Sequence, residues 1–534
     1  MKRLRYLITF LSAFALIFSA SQATAAPKMT EKETKEAAKI YFEECAGCHG
    51  VLRKGATGPS LEPKKTTEMG TDVLSVFISS GTAGGMVPFG DLGILNEGEI
   101  NLMARYIQQE PTAPPEISLN DMKASWKVVV PVSKRPKKPE HKRNWQNFFG
   151  VVLRDAGQVA IFDGDTKEKI VTINTGFAVH ILRVSASGRY LYSIGRDGKA
   201  TMMDLWMKTP ALVAEIKTCS EARSIDTSKY KGFEDKYAVV GCYWPPHLAI
   251  LDGATLEPLK VVSTRSYTYD SNEYHPEPRV AAIVASHYSP EWVINVKEAG
   301  YIWLVDYSDL TNLNIKMIEA ERFLHDGGWD ATHRYFMSAA NARDTMVVID
   351  TKTRTKIAKF KTGGKPHPGR GANWTDPKYG PVSATVHIGE AVMTVWGSDP
   401  AKHKGNAWKV LYKVDFEKTS GVEGGGQLFL KTHPKSKNVW VDFPLNTGED
   451  TRVSLGVMDI NNIQKVEMIK IADKGRVVHM EYDKEGGEVW VSVWHQEGEI
   501  VIIDDKTRKI KKRITGLRTP TGKFNVYNTM HDVY

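Results

Sequence analysis

A short apolar strand that ends in aspartate, then a polar turn and another strand, recurs eight times along this chain. The copies are Val159–Asp163, Thr201–Asp204, Leu248–Asp252, Ile302–Asp306, Met346–Asp350, Leu411–Asp415, Leu455–Asp459 and Ile500–Asp504. Successive aspartates stand 41 to 65 residues apart, close to the period of a four-stranded propeller blade, about 40 to 50 residues. Eight copies predict an all-β, eight-bladed β-propeller, a closed ring that leaves few exposed strand edges. A pair of β-sandwiches would not repeat so evenly.

Upstream of the repeat the signal is chemical. Cys45-Ala-Gly-Cys48-His49 places two thiols three residues apart with a histidine directly after them. That pattern attaches a c-type haem: the thiols add to the two vinyl groups and the His49 imidazole takes the iron from one face. The competing readings are a redox dithiol and half a zinc site. A zinc site needs a second ligand pair, and Cys219 and Cys242 lie far along the chain. Residues 26–110 read as a small all-α cytochrome c domain. Thr30 to Tyr41 has the spacing of an amphipathic helix, and Asn96 to Ile107 gives a second helix with Asn96 as its N-cap. The loop Gly84–Pro88 carries Met86, expected as the sixth ligand of the haem c iron, with Met69 and Met103 as rivals. A domain this small with one six-coordinate haem is an electron relay.

Residues 1–25 read as a signal peptide, with Lys2, Arg3 and Arg5 before the apolar run Leu7 to Ala20 and a small-residue cleavage site at Ala23-Thr24-Ala25. Covalent haem attachment takes place outside the cytoplasm, so the expected compartment is the periplasm. No later segment offers about 18 uninterrupted apolar residues, so no membrane span is expected. Cys219 and Cys242 could pair in that compartment or stay as buried thiols. The formal charge of +9 falls to +6 without the three signal-peptide cations, and no basic cluster sits beside a binding motif. Nucleic acid is not an expected partner. Pro111 to Pro115 opens a stiff linker, taken as 111–125, and the propeller is taken as 126–534.

A wide propeller has a central funnel, and the residues expected around it are unusual. His180, His325 and His367 all fall on turns, the last two beside glycine or proline, and Arg183, Arg196 and Arg223 crowd the first blades. Singly, each histidine is more often structural than functional. Together they suit a polyanionic, metal-containing ligand: one imidazole for iron, arginines for carboxylates, two imidazoles as proton donors.

From the haem signal to the last residue the chain resembles the cytochrome cd1 nitrite reductases. The matching stretches are Tyr243–Pro246, Tyr274–Ala282, Phe323–Gly328, Pro366–Asn373 and Thr519–Asn528. The resemblance implies a c-haem domain joined to a propeller that holds haem d1 non-covalently. It implies a homodimer that takes electrons from a small cytochrome c or cupredoxin and reduces nitrite to nitric oxide, with oxygen reduction to water as a side activity. Position by position it assigns His180 as proximal ligand of the d1 iron and His325 with His367 as the catalytic distal pair. Arg183, Arg196, Arg223, Ser224, Tyr243, Arg370 and Thr521 would line or anchor the macrocycle. In the haem c domain it assigns Cys45, Cys48, His49 and Met86, although some members use histidine as sixth ligand. Two departures stand out. No tyrosine lies between the cleavage site and Tyr41, so the distal tyrosine of some members has no counterpart, and His479 replaces a pocket glutamine.

Two alternatives accompany that expectation. A dihydro-haem d1 dehydrogenase of cofactor synthesis shares the layout, but such paralogues are expected to lack one of the paired histidines. A non-enzymatic haem or electron carrier would use the propeller as a docking surface. Among the remaining residues, His275 and His333 read as structural and His433 and His495 as exposed. Lys506 to Arg513 reads as a solvated face, and Trp244 and Trp494 as blade-core aromatics in preference to stacking partners of a macrocycle.

Overall fold

The computed structural model describes residues 26–82 and 85–534. The expected signal peptide, and Gly84 of the Met86 loop, lie outside the described residues.

The helical domain begins where its caps dictate. Thr30 accepts the Glu33 amide while Glu33 reaches back to the Thr30 backbone, and this reciprocal capping starts helix Glu31–Ile40. Asn96 and Glu99 repeat the device ahead of helix Glu97–Tyr106. Ala37 and Ile40 of the first helix pack against Ile100, Met103 and Ala104 of the second, and Arg105 bridges to Glu33 at 2.7 Å. The first helix widens into a π-helical turn over Tyr41–Cys45, and the turn Ala46–His49 completes the attachment signal. A third helix, Pro63–Ser80, is kinked at Gly70.

The aspartate repeat has a mechanical origin. In seven of the eight copies the aspartate ends the third strand of a blade, and its carboxylate accepts backbone amides of the following turn. Asp163 takes those of Asp165 and Thr166, Asp252 those of Ala254 and Thr255, and Asp350 those of Lys352 and Thr353. Aspartate supplies this turn with an acceptor that a hydrophobic side chain cannot. The exception is Asp415, which ends the outer strand of blade six. In that blade Asp399 makes the equivalent turn, accepting Ala401 and Lys402.

Eight antiparallel blades result. Their inner strands are Pro520–Asn525, Ile181–Val184, Glu221–Thr227, Val280–Ala285, Leu324–Trp329, Pro366–Asp376, Leu430–Lys431 and Arg476–Tyr482, for blades one to eight. The ring closes because the last strand of the chain, Pro520–Asn525, pairs with Phe148–Leu153 in blade one. At that seam Phe149 stacks on Trp490 with centroids 4.1 Å apart. Every seam between adjacent blades holds its own buried apolar cluster, so the hydrophobic stabilisation runs around the ring and leaves the axis free for other chemistry.

The expected linker is partly ordered into a fold of its own. Helix Leu119–Ser125 is capped by Ser118, and strand Lys127–Val128 adds a fifth strand to blade two. Trp244 donates to the Pro114 carbonyl at 2.9 Å, so it holds the linker and is not only a blade-core aromatic. Cys219 and Cys242 form a buried disulfide. His433 is buried beside Tyr482 and not exposed, because the loop that carries it folds under the 483–487 turn; His495 is half-buried. Among the described residues no helix is long and apolar enough to cross a membrane.

Candidate active site

The inner strands surround an axial cavity with about 1650 Å³ of empty space, part of it open to solvent. His180, Arg183, Arg223, Ser224, His367, Arg370 and Thr521 all line it, together with His479 and Trp494.

The cations on this wall are of two kinds. Arg223 is paired, donating to Asp326 at 3.1 Å. Arg183 and Arg370 make no ion pair with a carboxylate among the described residues. Arg183 donates to the Leu182 carbonyl and its buried Nε has no partner, while Arg370 reaches only the Gly327 and Ile283 carbonyls. Burial, with help from Arg370, lowers Arg183 to about 10. Two uncompensated guanidinium groups facing one cavity, Arg183 buried and Arg370 half-buried, fit a ligand that brings its own carboxylates.

The histidines differ in the same way. His180 stands directly before the inner strand of blade two, with its backbone amide bonded to the Ile194 carbonyl. Burial, seconded by Arg223, holds its imidazole well below the usual histidine range, so it is neutral and has a lone pair for a metal. Across the cavity His325 and His367 lie with ring centroids 5.3 Å apart, edge to face. Asp326 joins them: one carboxylate oxygen is 3.2 Å from His325 Nδ1 and the other 3.1 Å from His367 Nε2. The second nitrogen of His367, Nδ1, is 2.6 Å from the Leu428 carbonyl. Burial pushes His325 well down, Asp326 pulls it back up, and Arg223 and Lys297 press it down further. Asp326 itself is pushed up by burial, but both imidazoles and Arg223 outweigh that and hold it well below the usual carboxylate range.

Several expectations meet a different placement. His325 stands beside Asp326 rather than on the cavity wall, where Asp326 takes the lining position. Arg196 and Tyr243 do not line the cavity either. Arg196 sits in the rim loop of blade two, paired with Glu221 at 2.6 Å and donating to the Phe42 and Glu43 carbonyls of the helical domain. Tyr243 is the penultimate residue of the second strand of blade three, Tyr237–Trp244, and the Arg279 guanidinium lies 4.6 Å from its ring. His479 is on the wall as the glutamine replacement suggested, its ring 4.8 Å from Phe429 and 5.4 Å from Phe524.

Sequence reasoning missed Asp326, although adjacency to His325 was a usable signal. It also missed the chain terminus. Tyr534 lines the cavity and donates to Asp532, which in turn accepts from His287 at 2.9 Å and lies 3.5 Å from Lys229.

In the helical domain Cys45 and Cys48 are free thiols, and His49 is buried with Nδ1 2.8 Å from the Pro59 carbonyl. That bond leaves Nε2 for iron, the arrangement expected of an axial ligand. Gly58 lets its backbone approach the imidazole, since a Cβ there would stand 2.7 Å from the ring. Met86 packs on the same apolar cluster as Cys45.

These sites have counterparts among known proteins. Residues 143–529 match the cytochrome D1 heme domain model, and residues 32–107 match that of the cbb3-type cytochrome c oxidase subunit III. A nitrite reductase of Stutzerimonas stutzeri is 50% identical, with 98% of each chain covered. The chain belongs to the cytochrome cd1 nitrite reductase family. Its cofactors are therefore haem c in the helical domain and haem d1 in the propeller, and the donor sets above fit both. A dihydro-heme d1 dehydrogenase of Pseudomonas aeruginosa is more distant, 25% identical over 92% of this chain and 93% of its own. The structure titled dihydro-heme d1 dehydrogenase NirN in complex with DHE superposes with a TM-score of 0.69 at 25% identity, covering 92% of this chain and 99% of that one. The cd1 layout is thus shared between a reductase and a dehydrogenase, and the site has to separate them.

Proposed function

We propose that this cd1 protein is a periplasmic dissimilatory nitrite reductase, in which His180 would hold the d1 iron and His325 and His367 would be the proton donors. The overall change consumes nitrite, one electron and two protons and yields nitric oxide and water. Bound haem d1 would supply the iron at which nitrite is reduced, and haem c would supply single electrons to it. The chain's own residues supply the rest. Arg183 and Arg370 offer the unpaired positive charge that a ring bearing carboxylates needs. The oxygen that leaves nitrite departs poorly as oxide, so a proton must reach it. Two imidazoles 5.3 Å apart share one carboxylate, so a proton held there could pass to a small anion bound beside them.

The observation that carries this assignment is the His325–Asp326–His367 group. Burial holds His325 well below the usual histidine range, and Asp326, 3.2 Å away, is the group that opposes it. A site built only to oxidise a macrocycle precursor has no need of two proton donors on one carboxylate. Export to the periplasm is supported by the buried disulfide Cys219–Cys242, which belongs to an oxidising compartment. A small cytochrome c or cupredoxin as donor, Met86 as sixth ligand of haem c, and a homodimer complete the proposal.

The test is the product. Purified protein loaded with both cofactors, given reductant and nitrite, should release one nitric oxide per electron. Desaturation of dihydro-haem d1 without nitric oxide would assign the chain to the dehydrogenases instead.

A further inference from the structure

The two ring-anchoring candidates that do not line the cavity, Arg196 and Tyr243, share one location. Both belong to a set of buried charged and aromatic groups on the propeller rim that grips the haem-attachment turn of the helical domain. Arg196 donates to the carbonyls of Phe42 and Glu43 at 2.6 and 2.7 Å. Arg279, stacked on Tyr243, donates to those of Ala46 and Gly47 at 3.1 and 3.2 Å. Glu277 accepts the amides of Val51 and Leu52 at 2.8 and 2.9 Å. Lys297 donates to Thr57 Oγ1 at 2.9 Å. Every backbone contact in this set falls between residue 42 and residue 52, the stretch that carries both thioether cysteines and the axial imidazole.

These groups are costly to bury. Arg279 and Lys297 are fully buried and Glu277 nearly so. Arg279 is neutralised by Glu298 at 2.9 Å, whereas burial pushes Glu277 up to about 7 and Lys297 down to about 7. Apolar residues of the same size would join two domains at less cost in desolvation. What charged groups aimed at backbone carbonyls and amides add is a single register, because each bond is directional. Gly50 fits the same purpose. Its φ of +82° turns the chain sharply out of the haem signal, and a Cβ there would stand 3.2 Å from the Glu277 carboxylate.

We propose that Glu277, Arg279 and Lys297 are positioning residues for electron transfer, holding the haem c attachment turn in one register on the propeller rim. This rests on the reading of the helical domain as the electron relay, and not on which substrate the propeller reduces. Electron transfer between two fixed centres falls steeply with their separation, so a turn free to shift on the rim would pass electrons more slowly on average.

Glu277→Gln and Thr57→Val test this in the full-length protein; Thr57→Val removes little more than one hydroxyl and guards against a misfolded Glu277 variant. In the d1-free form, amide hydrogen exchange at Val51 and Leu52 should quicken by at least about tenfold in Glu277→Gln. In the loaded form, electron passage from photoreduced haem c to the propeller should slow by at least about threefold in either variant, with KM for nitrite and the thermal midpoint unchanged. Passage at the wild-type rate in both variants would overturn the proposal, as would unchanged exchange at Val51 and Leu52. Failure of the nitrite reductase reading would appear separately, as absence of nitric oxide from the wild-type protein.

Discussion

Asp326 Oδ2 lies 3.1 Å from His367 Nε2, and the same carboxylate holds His325 through its other oxygen. One acidic group therefore contacts both imidazoles. Asp326→Asn keeps the shape and removes the charge. Without it, no neighbouring charge opposes the effect of burial, Arg223 and Lys297 on His325, so its pKa falls. A smaller fraction of the donor is then protonated at any given pH. Nitrite turnover at neutral pH should drop about tenfold to a hundredfold, and the pH optimum should move toward acid. A pH–rate profile from pH 5 to 8.5 measures both.

Arg183, buried, and Arg370, half-buried, face the cavity as cations without a carboxylate partner. Arg183→Met should act with opposite signs on two quantities. The d1-free protein should gain about 1 to 3 kcal/mol, since an uncompensated buried charge is removed. Haem d1 should bind at least about tenfold more weakly, since a carboxylate loses its partner. Chemical denaturation of the d1-free form and titration with the cofactor read the two separately.

His247 gives a pH signature away from the cavity. Burial lowers its pKa from the ordinary 6.5 to about 4, against a bond to the Thr218 carbonyl. The unfolded chain thus binds a proton that the folded chain refuses. Its stabilising effect is complete above about pH 6.5 and is lost as the pH falls toward 4. The loss amounts to something on the order of 3 kcal/mol. His247→Gln should flatten the pH dependence of unfolding by that amount over the same window.

Much of this molecule could be read before folding it. The turn-forming aspartates are local, each needing only its own next few amides, and so they mark blades in the sequence with one slip at Asp415. The haem signal and the caps at Thr30 and Asn96 are local too. What could not be read depends on distant partners. Arg196 and Tyr243 lie near cavity residues in sequence, yet their partners Phe42, Glu43 and Arg279 come from elsewhere in the chain. The pairing of Cys219 with Cys242 and the burial of His433 likewise follow from packing between strands. Tyr534 reaches the cavity only because the final strand closes the ring, and a chain terminus carries no pattern that signals it.

The paired imidazoles are tested most directly by His325→Ala and His367→Ala, each in protein loaded with both haems, with nitric oxide release followed under excess reductant. Each variant should lose at least about a hundredfold in kcat at neutral pH, with both haem spectra intact. Wild-type rates in both variants would contradict the assignment of these histidines as the proton donors.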